Sequence, residues 1–407
     1  VTVSHHSVDV NSHRASSGEG FQTGHVLTVS LAHALNDVYT SFLPPLLPVL
    51  IARMALSNTQ AGLLAFMQSS PSLLQPLVGY LADRASLRYF VVLVPALTAT
   101  AMSLLGVAPR YAVVALLVTI AGLLSATFHA SAPAMAGRLS GGRLGRGLGF
   151  WTVGGYLGYA VGPILVSTTI NLATPRSTPW LMIGGWAGSA VLYLRLRNVP
   201  LTPPAPSATH SWRHGMEGIR PLLLPVAGIV MARAMAFSAT LTFLPTLLTN
   251  QGVDLWLAGI SLSLVQGVSA VGALLAGSAS DRMGRRSIAF ATTAVAPVLL
   301  AALVILPGWP QVPVLIGLGI VMPATYVILL ALMQECCPDD RALATGVLLS
   351  MTFISESLGA VILGVLADLF SLSLAFVVTA LVLAASLPLI LLLPQNPQTL
   401  PQGSSTT

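Results

Sequence analysis

The chain has 407 residues, 55 % of them hydrophobic and 7 % charged, with a formal net charge of +6. A soluble domain carries about 25 % charged residues, so too little polar surface exists to wrap a water-facing globule. Soluble enzymes, nucleic-acid binders and disordered scaffolds are excluded despite the basic balance. What remains is an integral membrane protein with room for about a dozen spanning helices.

Residues 1–24 are polar and rich in Ser, His and Gly, which predicts a disordered cytoplasmic tail. No cleavable signal peptide is expected, because the first apolar run is already long enough to span. Apolar runs at about 25–51, 58–82, 89–108, 111–135, 147–170 and 179–194 predict spans 1 to 6, an N-terminal bundle over 25–194. The polar, Pro-rich stretch 195–220 reads as a cytoplasmic linker. Runs at about 221–249, 255–280, 287–306, 312–334, 342–367 and 372–393 predict spans 7 to 12, a C-terminal bundle over 221–393, followed by a tail at 394–407. Each run is expected to be helical, since lipid leaves the backbone no partners outside its own segment. Cys336 and Cys337 are adjacent, which suits neither a structural disulfide nor a zinc site.

All 18 basic residues are Arg. With the N-terminus inside, fourteen of them fall on the cytoplasmic side and three (Arg53, Arg110 and Arg176) outside. This asymmetry follows the positive-inside rule and puts both termini in the cytoplasm. The halves also repeat one another. Phe42-Leu-Pro-Pro-Leu-Leu47 in span 1 recurs as Phe243-Leu-Pro-Thr-Leu-Leu248 in span 7, and Gly79-Tyr-Leu-Ala-Asp83-Arg84 recurs as Gly277-Ser-Ala-Ser-Asp281-Arg282. The chain is a duplicated six-helix unit whose copies enter the membrane from the same side.

Two motifs carry mechanics. Between spans 8 and 9, Gly277, Asp281, Arg282, Gly284, Arg285 and Arg286 form a short turn with one acid and several bases; Gly79, Asp83 and Arg84 form its weaker copy. Such a turn can latch two helices at the inner face. The same arginines also serve topology. In span 5, Gly154, Gly158 and Gly162 recur every fourth residue before Pro163, which gives a flat face for close helix packing and a bend.

The turn motif resembles the cytoplasmic loop signature of the major facilitator superfamily, and the span 5 glycines resemble the antiporter signature of its drug exporters. A narrower likeness joins His33-x-x-Asn36-Asp37, Phe128-His129, Ser140-Gly141-Gly142-Arg143 and Gln334-Glu335-x-x-Pro338 to the fosmidomycin-resistance exporters of that superfamily. Ala130 and Ser131 stand where that family continues Pro-Glu, and Glu356 stands where it has a small residue. The resemblance implies an all-α membrane fold of 12 transmembrane helices, as two six-helix bundles related by a pseudo-two-fold axis. In that fold spans 1, 4, 7 and 10 line a central cavity. It further implies proton-coupled efflux of small, anionic drugs or metabolites from a bacterial-type inner membrane. An importer or facilitator of an organic anion, or an exporter of cations, fits the same fold.

Five ionisable groups, His33, Asp37, His129, Arg233 and Glu356, fall inside apolar runs. A charge at mid-bilayer costs on the order of 2.5–3.5 kcal/mol on insertion scales, so such groups face a polar interior. A rise of ~1.5 Å per residue puts Asp37, Arg233 and Glu356 in one layer and the two histidines about a turn nearer the cytoplasm. Arg233 offers a permanent charge and a fork suited to phosphonate, phosphate or carboxylate; the other reading is a structural pair with Glu356. Asp37 is expected to take the coupling proton, with Glu356 as alternate, because protonation relieves the cost of burial. His33, Asn36, His129, Tyr39, Gln266 and Tyr326 are expected to complete a substrate site. Protons, a small molecule and lipid are the expected partners, and a monomer the working unit. No cofactor, metal site, nucleic acid or enzymatic activity is expected, and no phosphate-binding P-loop is present.

Overall fold

The computed structural model describes residues 21–75, 87–141, 143–199, 212–336 and 341–395, and among them every regular element is helical. Ten helices are long and apolar enough to cross a membrane: Thr23–Met54, Arg88–Val107, Tyr111–Leu139, Arg146–Leu172, Arg220–Asn250, Leu255–Met283, Arg285–Ile305, Gln311–Cys336, Ala344–Leu369 and Leu372–Leu391. They are spans 1, 3, 4, 5 and 7 to 12. Span 2 is described as the helix Asn58–Ser69 and a 3-10 continuation, Ser70–Leu74, before residues 76–86, which lie outside the described set together with Gly79, Asp83 and Arg84. Span 6 is a 3-10 segment, Pro175–Leu181, leading into Met182–Leu196.

The repeated Phe-Leu-Pro motif marks the same irregularity in each half. Proline lacks the N–H and its ring clashes with the carbonyl four residues back. Span 1 accordingly breaks at Ser41 and Phe42, ahead of Pro44 and Pro45. Span 7 absorbs Pro245 differently, through a π-helical turn at Ala239–Phe243. The helix that becomes span 7 starts at Trp212, inside the stretch read as linker, and carries Pro221 and Pro225 within it.

The Gln22 N–H donates to the Leu139 carbonyl at 3.0 Å, so the start of span 1 meets the end of span 4 on the side of the chain termini. One apolar core joins both halves away from that side; it includes Phe42 and Leu46 of span 1, Phe243 and Leu247 of span 7 and Phe376 of span 12. Toward the terminal side the core divides in two. Phe128 and Met135 belong to an N-terminal-half cluster, Leu329 and Met333 to a separate C-terminal-half cluster. Among the described residues the halves therefore share a core on the far side and have separate cores on the terminal side. Their extensive contacts are span 2 with span 11, span 5 with span 8, and the far ends of spans 1 and 7.

The seam between spans 2 and 11 is made by backbone. A Cβ on Gly62 would stand 2.3 Å from the Ala360 carbonyl oxygen, and one on Gly364 would stand 2.4 Å from that of Asn58. Beyond it, Asp368 of span 11 accepts from the Asn58 N–H (2.8 Å), the Asn58 side-chain amide (3.0 Å) and the Thr59 N–H (2.8 Å) at the start of span 2.

Candidate functional site

Span 1 carries His33, Asn36 and Asp37 on one face, and span 5 lies against that face because its glycines permit it. A Cβ on Gly154 would meet the Ser30 carbonyl oxygen at 2.3 Å, one on Gly158 the Ala34 oxygen at 2.5 Å, and one on Gly162 the Val38 oxygen at 2.1 Å. Gly155, between them, faces the functional groups: its Cβ would lie 2.5 Å from His33 Cε1 and 3.2 Å from Asp37 Oδ2.

Around Asp37 three side chains converge. His33 Nε2 is 3.0 Å from Asp37 Oδ2, and His129 Nε2, from span 4, is 3.7 Å from Oδ1. The two imidazole Nε2 atoms are 3.2 Å apart, and the Asn36 amide donates to Asp37 Oδ1 at 3.0 Å. Each ring is held from behind. His33 Nδ1 is 2.7 Å from the Trp151 carbonyl oxygen and His129 Nδ1 is 2.9 Å from that of Ser125. Trp151 stacks on His33 with centroids 3.8 Å apart. The Asp37 side chain is 2 % exposed and that of His129 25 %, so the cluster opens on the His129 side.

In the other half Arg233 Nη1 donates to Glu356 Oε1 at 2.9 Å. The guanidinium carbon stands 5.3 Å from the ring centroids of both Phe237 and Tyr326, within reach of a cation–π interaction. Arg233 Nε is buried and has no hydrogen-bond partner among the described residues. The Glu356 side chain is 16 % exposed. Ser238 at the edge of the π turn donates to the Glu356 backbone oxygen at 3.2 Å, tying span 7 to span 11. Span 5 carries Tyr159 in the neighbourhood of Asp37 and Glu356, and Tyr156 in that of Arg233.

Of the residues expected in the site, the structure thus groups His33, Asn36, Asp37 and His129 in one cluster and Arg233, Glu356 and Tyr326 in another. Tyr39 is elsewhere. Two residues past Asp37 it points away from that cluster, packs on Phe42 and gives its hydroxyl to the Leu181 carbonyl of span 6 at 2.7 Å, so its hydrogen bond is spent on helix packing. Gln266 is buried in span 8. In the turn after span 8, Gly284 adopts φ +90°, a left-handed value that favours glycine. Arg285 binds Asp281 Oδ1 at 2.6 Å and Glu335 Oε1 at 2.8 Å, joining the turn to the end of span 10; Arg282 is exposed and Arg286 partly so. Trp151, Tyr156 and Tyr159 were not singled out from sequence, and Gly155 only as part of the Val153-Gly154-Gly155 run shared with the fosmidomycin-resistance exporters. The Gly154-Gly155 doublet, one glycine more than close packing needs, was the available signal.

A family model described as Major Facilitator Superfamily matches residues 29–342 and 270–407. The chain belongs to that superfamily. It is accordingly an integral membrane transporter of small molecules and not an enzyme. The transporter is 26 % identical over 370 residues to the fosmidomycin resistance protein of Escherichia coli (strain K12), covering 86 % of this chain and 88 % of that one. It is 24 % identical to an uncharacterized MFS-type transporter, YfnC, of Bacillus subtilis (strain 168), over 84 % of this chain and 86 % of that one. Among solved structures, a bacterial homologue of the human lysosomal transporter Spinster, in an inward-facing and occupied conformation, superposes with a TM-score of 0.80 at 15 % identity, covering 91 % of this chain and 96 % of that one. The nucleoside transporter NupG superposes at 0.70 with 18 % identity, over 90 % and 98 % of the two chains. These likenesses establish the fold: two six-helix bundles with 12 spans.

Proposed function

We propose that this transporter expels small organic anions, phosphonates among them, from the cytoplasm in exchange for protons, by alternating exposure of the layer between its halves. The buried Arg233–Glu356 pair carries the assignment of anion and proton to this layer. Breaking such a pair by removing one partner costs about 3–5 kcal/mol, so Glu356 leaves Arg233 only when another anion or a proton takes over. Arg233 gives Nη1 to Glu356 and keeps an unused Nε donor on the other side of the guanidinium, a donor left over for a phosphonate or carboxylate. Tyr326 and Phe237 hold the guanidinium in place.

Glu356 is the better proton carrier of the two acids. Asp37 accepts from the Asn36 amide, is flanked by two imidazoles and is almost fully enclosed, whereas Glu356 answers to Arg233 and keeps some exposure. In the cycle, the anion leaves on the outside and Glu356 takes a proton for the return. The proton leaves inside as the next anion claims Arg233. The distribution of arginines, fourteen against three, supports a cytoplasmic terminal side, and the parted terminal-side cores support an inward-open state. The relative named for fosmidomycin resistance supports export as the direction.

One observation favours a second reading, uptake of an anion together with a proton: protonating Glu356 frees Arg233, so at this pair proton and anion assist each other. Purified protein in liposomes with pH gradients of either sign, supplied with a labelled phosphonate, separates the two. Export by exchange requires accumulation toward the acidic compartment, symport toward the alkaline one. In either case Arg233→Gln abolishes anion transport while the protein remains folded in the membrane; retained transport refutes the assignment.

A further inference from the structure

The cluster in the N-terminal half has a geometry the proposed cycle does not use. Backbone carbonyl oxygens only accept hydrogen bonds. The Trp151 and Ser125 carbonyls, at 2.7 and 2.9 Å, therefore fix the proton of each imidazole on Nδ1. Both Nε2 atoms of the neutral rings are then bare electron pairs. They face each other at 3.2 Å and face the Asp37 carboxylate at 3.0 and 3.7 Å. Three donors with no hydrogen among them repel one another unless a cation sits between them. A single bridging proton serves one of the three edges and leaves the others unrelieved. A metal ion serves all three at once.

We infer that His33, Asp37 and His129 form a binding site for a divalent transition-metal ion of the zinc class. Two imidazole nitrogens and one carboxylate are a donor set that suits such ions. Ligands 2.0–2.1 Å from zinc stand roughly 3.3 Å apart at the corners of a tetrahedron; the two Nε2 atoms are 3.2 Å apart and His33 Nε2 is 3.0 Å from Asp37 Oδ2, while His129 meets the other carboxylate oxygen at 3.7 Å. All the ligand atoms lie within 4.8 Å of one another. Metal-bound histidines as a rule donate the other ring N–H to a carbonyl or carboxylate, which fixes ring orientation and raises basicity; both rings here already do so. The stacked Trp151 and the absence of a side chain at Gly155 complete the cradle, since a Cβ at 155 would displace His33. Three protein ligands leave a coordination position open, on the His129 side where the cluster is exposed. The ion ties span 1 to span 4 within one half, independently of Arg233 and Glu356.

The test uses full-length protein purified without a histidine tag, stripped with a chelator and titrated with cobalt(II) as a spectroscopic stand-in. One equivalent is expected to bind with the visible absorption of a low-symmetry cobalt site, to quench Trp151 fluorescence, and to be displaced by zinc(II). His33→Gln and His129→Gln are each expected to weaken binding by more than the 10–100-fold typical of an outer-shell change. Gly155→Ala, which removes no ligand but puts its Cβ 2.9 Å from His33 Nε2 and so crowds the site, is expected to weaken it too, and metal-free melting curves report whether each variant folds. Absence of one-to-one binding by the wild type overturns the inference, and means that protons alone occupy the cluster. Binding that survives in a folded His33→Gln/His129→Gln double variant also overturns it, and points to other histidines such as His5 and His6. Neither result bears on anion transport through Arg233.

Discussion

Replacing Asp368 by Ala is expected to release the far-side closure without melting the helix it caps. The first N–H groups of a helix lack intrahelical partners, and span 2 satisfies them from two sources. Ser57 Oγ accepts from the Gln60 N–H at 3.1 Å while the Gln60 side chain accepts from the Ser57 N–H at 3.0 Å, a capping box within the segment itself. The Asn58 and Thr59 N–H groups instead go to Asp368, 310 and 309 residues away in the other half. Removing Asp368 thus leaves the box intact and deletes only the interhalf bonds. A capping carboxylate is worth about 0.5–2 kcal/mol, and the exposed position of Asp368 argues against more. An effect of about 1–2 kcal/mol corresponds to a 5–30-fold shift in the ratio of far-side-open to far-side-closed molecules. Spin labels at Arg110 and Trp309, both exposed on far-side turns of opposite halves, would read this as a growing long-distance population, in a background with Cys336 and Cys337 replaced by Ser. Asp368→Asn, which keeps one acceptor oxygen, should fall between wild type and Ala. Unchanged distance distributions in all three proteins would refute the argument.

Glu356→Gln should raise anion affinity and remove its dependence on pH, because Arg233 loses its internal competitor; binding isotherms across a pH series check both. Gly158→Ala should cost about 1–3 kcal/mol through overpacking, since its Cβ would stand 2.5 Å from a backbone oxygen of span 1, and should lower the melting temperature. Gly149→Ala in the same helix, where nothing lies within 4 Å, should be neutral or stabilising by about 0.5–1 kcal/mol, and the difference between the two melting curves tests the span 1–span 5 contact. Tyr39→Phe should lose about 0.5–1.5 kcal/mol of stability with its hydrogen bond to Leu181, while transport rates in liposomes stay as they are.

The ionisable groups stood out in the sequence because such side chains in apolar runs are costly wherever they do not face a polar interior. Asp37, Arg233 and Glu356 announce themselves by that contrast alone. Aromatic residues do not. Tyr156 and Tyr159 sit among small and apolar neighbours in the same way as Trp186, which is exposed, and only the fold tells the two situations apart. Tyr39 misled for a related reason: membership of span 1 says nothing about which face of the helix a residue occupies. The seam between the halves was not readable at all. Gly62, Gly364 and Asp368 are far apart in sequence, yet Gly364-Val-Leu-Ala-Asp368 repeats the spacing of Gly79-Tyr-Leu-Ala-Asp83 and lies against the start of a helix in the other half. The proline-centred repeat, read as a mark of duplication, coincides with both irregular turns but does not give their form, since one half has a break and the other a π turn.

The naked contact between spans 2 and 11 behaves as a plain bearing. Where helices interlock through large side chains, turning one against the other means lifting each knob out of its socket, which makes motion stepwise and slow. Two bare backbones can roll with no such ratchet. Resistance to turning is then concentrated in the polar clasp at the rim, and a single bulky residue at position 62 or 364 would convert a freely turning joint into a seized one.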